Sequence, residues 1–463
     1  MLYEVVFLAL GVIVIALVKN VYNKRRSEQL LAHILTHTFL DGDNSRKRYL
    51  SDLKTLLESG YQEYQKNEQA FKITIPVGGY SVKYRVILPK SHLEEIKHLS
   101  NNVFSCRYFA QSLPQYKGHA ATINLMEFFV PTITSLTNAL LVDSRLSSDP
   151  EWLQQTADFA VNRYGAADDV RQWPPCLAGL IAPFIPSVKR LREQRTYVMQ
   201  KMKPIYDELK GQSLLSTDDK KNRRKGTFGY EWLWSGAPDD VTLQDFSDTM
   251  MRTLIAAIHT TAKTISVAFI DVLTQPEFLA ELTREAREAV EDDGQSINLD
   301  KLLKLDCFLK ESQRLSPVFL FTMNRILTQD YEFKCSGLKL PKETMITAPA
   351  AAIATDPEIF REPNTFDGHR YMRLREEHKE SASSLVLGMS TIDSLGFGLG
   401  NQACPGRFLA VNNLKLMMAK LMISWELTLE KNGQEFQGPR PSMEYKDFSV
   451  VPPSQFSIRL KKL

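Results

Sequence analysis

The clearest periodic signal in the chain runs from Thr242 to Thr274, where apolar residues recur on most sides of a helical projection. Thr242 is placed as an N-cap with Asp245 three residues on, and Pro276 stops the run. At 1.5 Å per residue such a helix is roughly 45–50 Å long, so it crosses the core of a domain. The same reading predicts a β-hairpin over Phe71–Leu88, turning near Gly78 and Gly79, and a basic amphipathic helix over Ser187–Leu209. Further helices are expected over Pro276–Val290, Leu302–Leu315 and Arg407–Ser424, with strands over Phe319–Leu327, Tyr331–Leu340 and Met345–Ala348 and others closing the chain. Ser27–Gly60 reads as a polar, partly helical linker. Arg171–Pro186 reads as a break between helices or a membrane-contacting patch, and Thr217–Gly226 as a solvated charged loop. Helix dominates, strands are few, and no βαβ alternation appears, which gives a mainly α fold with a minor β-sheet in a single domain spanning 27–463.

Residues 1–26 pattern differently. Leu2–Val18 is apolar apart from Glu4, close to the roughly 17-residue minimum for a spanning helix, and Lys19, Lys24, Arg25 and Arg26 follow it. Basic residues after the apolar run, with no small-x-small cleavage site, favour an uncleaved transmembrane anchor over a signal peptide. The positive flank then keeps the rest of the chain in the cytoplasm. The alternative is a helix lying on the membrane surface.

Composition narrows the classes. The 463 residues carry 57 basic and 54 acidic side chains, a net charge of +3, without the concentrated basic face that nucleic-acid binding requires. The five cysteines form no CxxC pair, and their odd number and irregular spacing point away from a disulfide framework or a zinc site.

The chemistry concentrates in Phe397–Ala410, FGLGNQACPGRFLA. Cys404 stands between Gly400 and Gly406, beside Pro405 and just before the last helix. Glycines there let backbone approach a flat ligand, and a helix N-terminus favours thiolate. A lone cysteine is more often a buried structural one. Gly398, Gly400 and Ala403 also fit a dinucleotide loop, but that loop should open a βαβ unit, and none follows.

This stretch resembles the cytochrome P450 family, whose FxxGxxxCxG signature is matched by Phe397, Gly400, Cys404 and Gly406. The family's ExxR helix motif is matched by Glu311 and Arg314, and its aromatic-Asp-x-x-Arg segment by Phe366, Asp367 and Arg370. The resemblance implies the cytochrome P450 fold behind an N-terminal anchor, haem b with Cys404 as axial iron ligand, and a structural ion network joining Glu311, Arg314 and Arg370. It places AAIHTT, Ala256–Thr261, at the oxygen site, with Thr260 donating and relaying protons to dioxygen. His259 stands where most relatives carry an acid, and reads either as a proton relay or as a satisfied helix histidine. Arg325 falls where a basic residue binds a haem propionate, or is a plain surface arginine. Ile255, Ala256, Thr260 and Val318–Phe321 are candidate pocket walls. The wording of AAIHTT is similar to the filamentous-fungal secondary-metabolism branch, of terpenoid-tailoring, ent-kaurene-oxidase-like type.

Two departures from the family stand out. Gln402 replaces the usual Arg or His two residues before the cysteine, and no Lys, Arg or Trp lies between His119 and Arg145. The implied reaction is monooxygenation of a lipophilic terpenoid, meroterpenoid or indole diterpene with O2. Electrons would come from NADPH through a separate cytochrome P450 reductase, for which Arg407 and Lys415 are candidate contacts. The implied location is the endoplasmic reticulum membrane, single-pass, with a cytoplasmic catalytic domain. The alternatives are a reductase-independent thiolate-haem isomerase or dehydratase, and an anchored relative that binds haem poorly.

Overall fold

The computed structural model describes residues 28–64, 68–77, 81–96, 104–105, 124–215, 229–292, 296–446 and 448–462. The expected anchor, the hairpin turn at Gly78 and Gly79, His119 and the charged loop 217–226 lie outside these residues.

The principal sheet has six strands in the order β1-β2-β3-β8-β5-β4. These are β1 (Leu35–Thr36), β2 (Phe71–Val77), β3 (Ser81–Ile87), β4 (Phe104–Ser105), β5 (Thr322–Leu327) and β8 (Met345–Ala348). The predicted hairpin is present as the antiparallel β2–β3 pair, with Phe71 opposite Ile87. The expected strand over Tyr331–Leu340 is instead a short ribbon, β6 (Tyr331–Glu332) against β7 (Lys339–Leu340), joined through the turn at Gly337. Near the C-terminus, β9 (Trp425–Lys431) pairs with both β10 (Gln434–Glu435) and β13 (Phe456–Lys462), and β11 (Glu444–Lys446) pairs with β12 (Ser449–Val451).

Helices surround the sheets. The first half of the chain contributes α1 (Arg46–Tyr64), α2 (Ser91–Ile96), α3 (Asn124–Leu141), α4 (Ser144–Ser147), α5 (Pro150–Arg171), α6 (Pro175–Ile181) and α7 (Pro186–Leu215). The second half contributes α8 (Gly229–Ser235), α9 (Leu243–Leu273), α10 (Pro276–Glu288), α11 (Leu303–Leu315), α12 (Ala350–Ala354), α13 (Arg370–Glu377) and α14 (Arg407–Ser424).

Residues 28–64 are not a linker, contrary to the expectation from sequence. Thr36 pairs with Lys72 in the sheet, and Tyr49, Leu53, Leu56, Leu57 and Tyr61 of α1 are buried. Their apolar spacing is masked by the charged residues between them, and only the sheet supplies the surface that covers them.

The long helix forms as its sequence dictates. Thr242 Oγ1 accepts from the Asp245 N–H at 3.1 Å, and the Asp245 carboxylate reaches back to the cap residue. Helix α9 is the one described helix long and apolar enough to cross a membrane, and most of that apolar stretch is buried inside the protein. It packs against α3, α5, α7, α11 and α14. Phe269 stacks on Phe129 of α3 at 5.3 Å between ring centroids. Beside them Trp152 is fully buried, its indole N–H satisfied by Asn138 Oδ1 at 2.8 Å. Asp271 is also buried on α9, with Arg440 Nε 2.7 Å from its Oδ1.

Candidate functional site

The loop before α14 is closed by backbone bonds that its glycines permit. Gly398 and Gly400 adopt φ of +73° and +71°, a region that costs a side chain steric strain. The Cys404 N–H donates to Phe397 O at 2.8 Å, and the Ala403 N–H donates to Gly400 O at 3.0 Å. Cys404 is thereby held half-buried three residues before α14, with Gly406 as the cap residue. Burial pushes its thiol pKa up, opposed by the Gly406 N–H directed at the sulfur and by the nearby Arg407 guanidinium. Among the described residues no group of three His, Cys, Asp or Glu could hold a metal ion. The loop therefore offers one soft sulfur donor in a glycine-cornered turn, which fits axial ligation of a porphyrin iron.

Two contacts fix that loop to the fold. A Cβ at Gly396 would lie 2.3 Å from Gln313 Oε1, so any larger residue there would have to displace the Gln313 side chain of α11. The Leu399 N–H points at Met323 Sδ, 3.1 Å away. Met323 has φ +57°, and the pairing of β5 with β8 shifts register between Thr322 and Arg325, an irregularity that re-aims the strand toward the loop. Neither Gly396 nor Met323 is identifiable as a site residue from sequence, because each is defined by a partner remote in the chain.

Helix α11 carries the ion network. Glu311 is fully buried and accepts two bonds of 2.8 Å from Arg314 and bonds of 3.1 and 3.2 Å from Arg370 Nε. The Asp367 N–H adds a fourth donor at 3.1 Å. Arg314 extends the network to the carbonyls of Ala354, Pro363 and Thr365. A buried carboxylate so supplied with donors can remain ionised. Phe366, from the same predicted segment, packs its ring 5.1 Å from Phe308.

Helix α9 carries the AAIHTT segment, Ala256–Thr261. Ala256 is exposed, as are Arg252 and Thr249 one and two turns before it, and Ala257 and Thr260 are partly open beside it. Thr260 Oγ1 donates to Ala256 O at 2.6 Å, which leaves its lone pairs free to accept. His259 points elsewhere: its Nε2 lies 3.1 Å from Ala157 O, tying α9 to α5, and burial lowers its pKa. Ile255 is buried, while Leu320 and Phe321 form part of the core wall.

Arg325 is buried on β5 rather than on the surface, with NH1 donating to Asn324 O at 2.9 Å. Lys415 corrects another expectation. It is buried, with Nζ 3.8 Å from Asp306, and is not placed for a surface contact. Arg407 lies 4.5 Å from the centroid of the exposed Phe408 ring, and its NH1 donates to Cys404 O at 2.9 Å.

Residues 105–458 match the family profile described as Cytochrome P450. The chain is similar to cytochrome P450 monooxygenase ccsG of Aspergillus clavatus, at 27% identity over 94% of each sequence. It is similar to pyrichalasin C-7 hydroxylase of Pyricularia grisea, at 28% identity over 94% of this chain and 93% of that one. Among solved structures, retinoic acid-bound cyanobacterial CYP120A1 superposes with a TM-score of 0.58 at 16% identity, covering 92% of this chain and 95% of that one, a likeness of fold.

Proposed function

The chain belongs to the cytochrome P450 family, as a monooxygenase of the fungal secondary-metabolism type, and from that premise we propose that it is a membrane-anchored haem-thiolate enzyme hydroxylating a lipophilic terpenoid, meroterpenoid or indole diterpene. The observation that carries this reading is the placement of Cys404: a single thiol at the start of α14, in a glycine loop pressed onto the helix of the Glu311 network.

Cys404 Sγ would hold the haem iron, and Arg325 would be a partner for a propionate. Haem b supplies the activation of dioxygen and the insertion of one of its atoms into a C–H bond. The protein's part is to bind, orient and protonate. Cys404 would donate electron density from its sulfur to the iron. Ala256 and Ala257, with their small side chains, would leave room for the cofactor beside α9. Thr260 Oγ1, now bonded to Ala256 O, would be the side chain that holds and delivers a proton in the pocket. His259, held on Ala157 O, would act in this route only by leaving that bond.

Electrons would come from NADPH through a separate cytochrome P450 reductase docking near Arg407. The endoplasmic reticulum location rests on the apolar residues 2–18 and on an outward patch, where Phe184 is 85% and Leu180 67% exposed.

The test is the spectrum of the reduced, carbon-monoxide-bound protein. The wild type should show the red-shifted Soret band of thiolate ligation, and Cys404→Ala should lose it. Persistence of the band in that variant would overturn the assignment.

A further inference from the structure

Lys263 has no part in the chemistry above, yet it lies on the site-facing side of α9. It is seven residues, about two turns, beyond the exposed Ala256, so the two share a face of the helix. Its Nζ donates to Ser449 Oγ at 2.9 Å. Ser449 in turn belongs to the wall formed by residues 318–321: it bridges to Phe319, and its Oγ donates to Val318 O at 3.4 Å. The adjacent Phe448 ring lies 5.4 Å from Phe319 and 5.1 Å from Phe321.

Among the described residues no carboxylate lies within ion-pair distance of Lys263, and the charge that acts on it is another cation, Lys446. Burial and that neighbour push the ammonium pKa down to about 8, although by area the side chain is only half-buried. A half-buried amine held only by a hydroxyl, beside an aromatic and aliphatic wall, is under-neutralised.

Resting on the proposed haem-thiolate reading, we propose that Lys263 is a specificity residue, which receives a carboxylate oxygen of an otherwise apolar substrate in place of the Ser449 hydroxyl. The substrate class is thus a lipophilic acid rather than a hydrocarbon or alcohol. The charge-assisted bond orients the substrate by one end along α9, leaving its apolar body to the wall of Phe319, Phe321 and Phe448.

Calorimetric titration of the full-length holoprotein tests this, with abietic acid against abietinol and dodecanoic acid against dodecanol. The wild type should bind at least one acid about tenfold or more tighter than its alcohol. Lys263→Met should remove that preference while leaving alcohol binding within about twofold, and Lys263→Arg should retain it. Ser449→Ala should hold or strengthen acid binding, because it deletes the competing hydroxyl, whereas a purely structural Lys263–Ser449 bond predicts a loss. Failure of both acids to bind, or an acid preference that survives in Lys263→Met, overturns the proposal. The carbon-monoxide spectrum of the same preparations separates the two readings: a thiolate band without acid preference sinks only the role of Lys263.

Discussion

Arg314 grips Glu311 through two parallel hydrogen bonds of 2.8 Å across one turn of α11, with both side chains almost completely excluded from solvent. Such a pair is costly to leave half-made. Glu311→Ala would strand the Arg314 and Arg370 guanidinium groups in the interior, and a loss of about 3–5 kcal/mol is expected. Chemical denaturation read by far-UV circular dichroism checks it. A variant within about 1 kcal/mol of wild type would show the network to be dispensable.

Asp271, fully buried, forms a second pair with the half-buried Arg440, 2.7 Å apart. Burial raises the Asp271 pKa, and Arg440 opposes the rise. Arg440→Leu should therefore cost about 3 kcal/mol or more, and Asp271→Asn added to it should recover much of the loss, since the stranded charge is gone. A double-mutant cycle on unfolding midpoints measures the coupling. Additive effects would mean the two groups do not sense each other.

His259 gives a pH dependence of definite sign. Its pKa in the fold is lowered from the ordinary 6.5 by burial, so below that pH the unfolded chain takes up a proton that the folded one resists. Above about pH 6.5 the ring is neutral in both states and contributes no slope. As pH falls below it, stability should decline, and His259→Asn should decline less steeply. Parallel slopes for the two proteins between pH 7 and 5 would remove His259 as the cause.

Thr260→Ala should leave the fold nearly intact, because the lost hydroxyl bonds only the carbonyl four residues back in its own helix. The coupling of NADPH oxidation to product should fall by roughly tenfold or more if the hydroxyl manages proton delivery. Reductase-supported turnover with product quantified against NADPH is the measurement. Unchanged coupling would leave Thr260 as a helix residue only.

Hydrophobic pattern and short-range chemistry alone settled a large part of this protein. The cap at Thr242 and Asp245, the stop at Pro276, the limits of α14 and the turn around Cys404 depend on residues within a few positions of one another, so they are legible without a fold. Glu311 and Arg314 share a face for the same reason. Other features had no local signal. Residues 28–64 join the core only because β2 and the wall beyond it receive them. His259 and Thr260 are adjacent in sequence but about 100° apart around α9, and the position of α5 decides which of them is tied up by backbone. Lys415 is buried and Lys263 meets Ser449, 186 residues away, because tertiary packing selects the partners of a charge. Helical periodicity sets the direction in which a side chain leaves its helix; what waits there is set by elements that arrive from elsewhere in the chain.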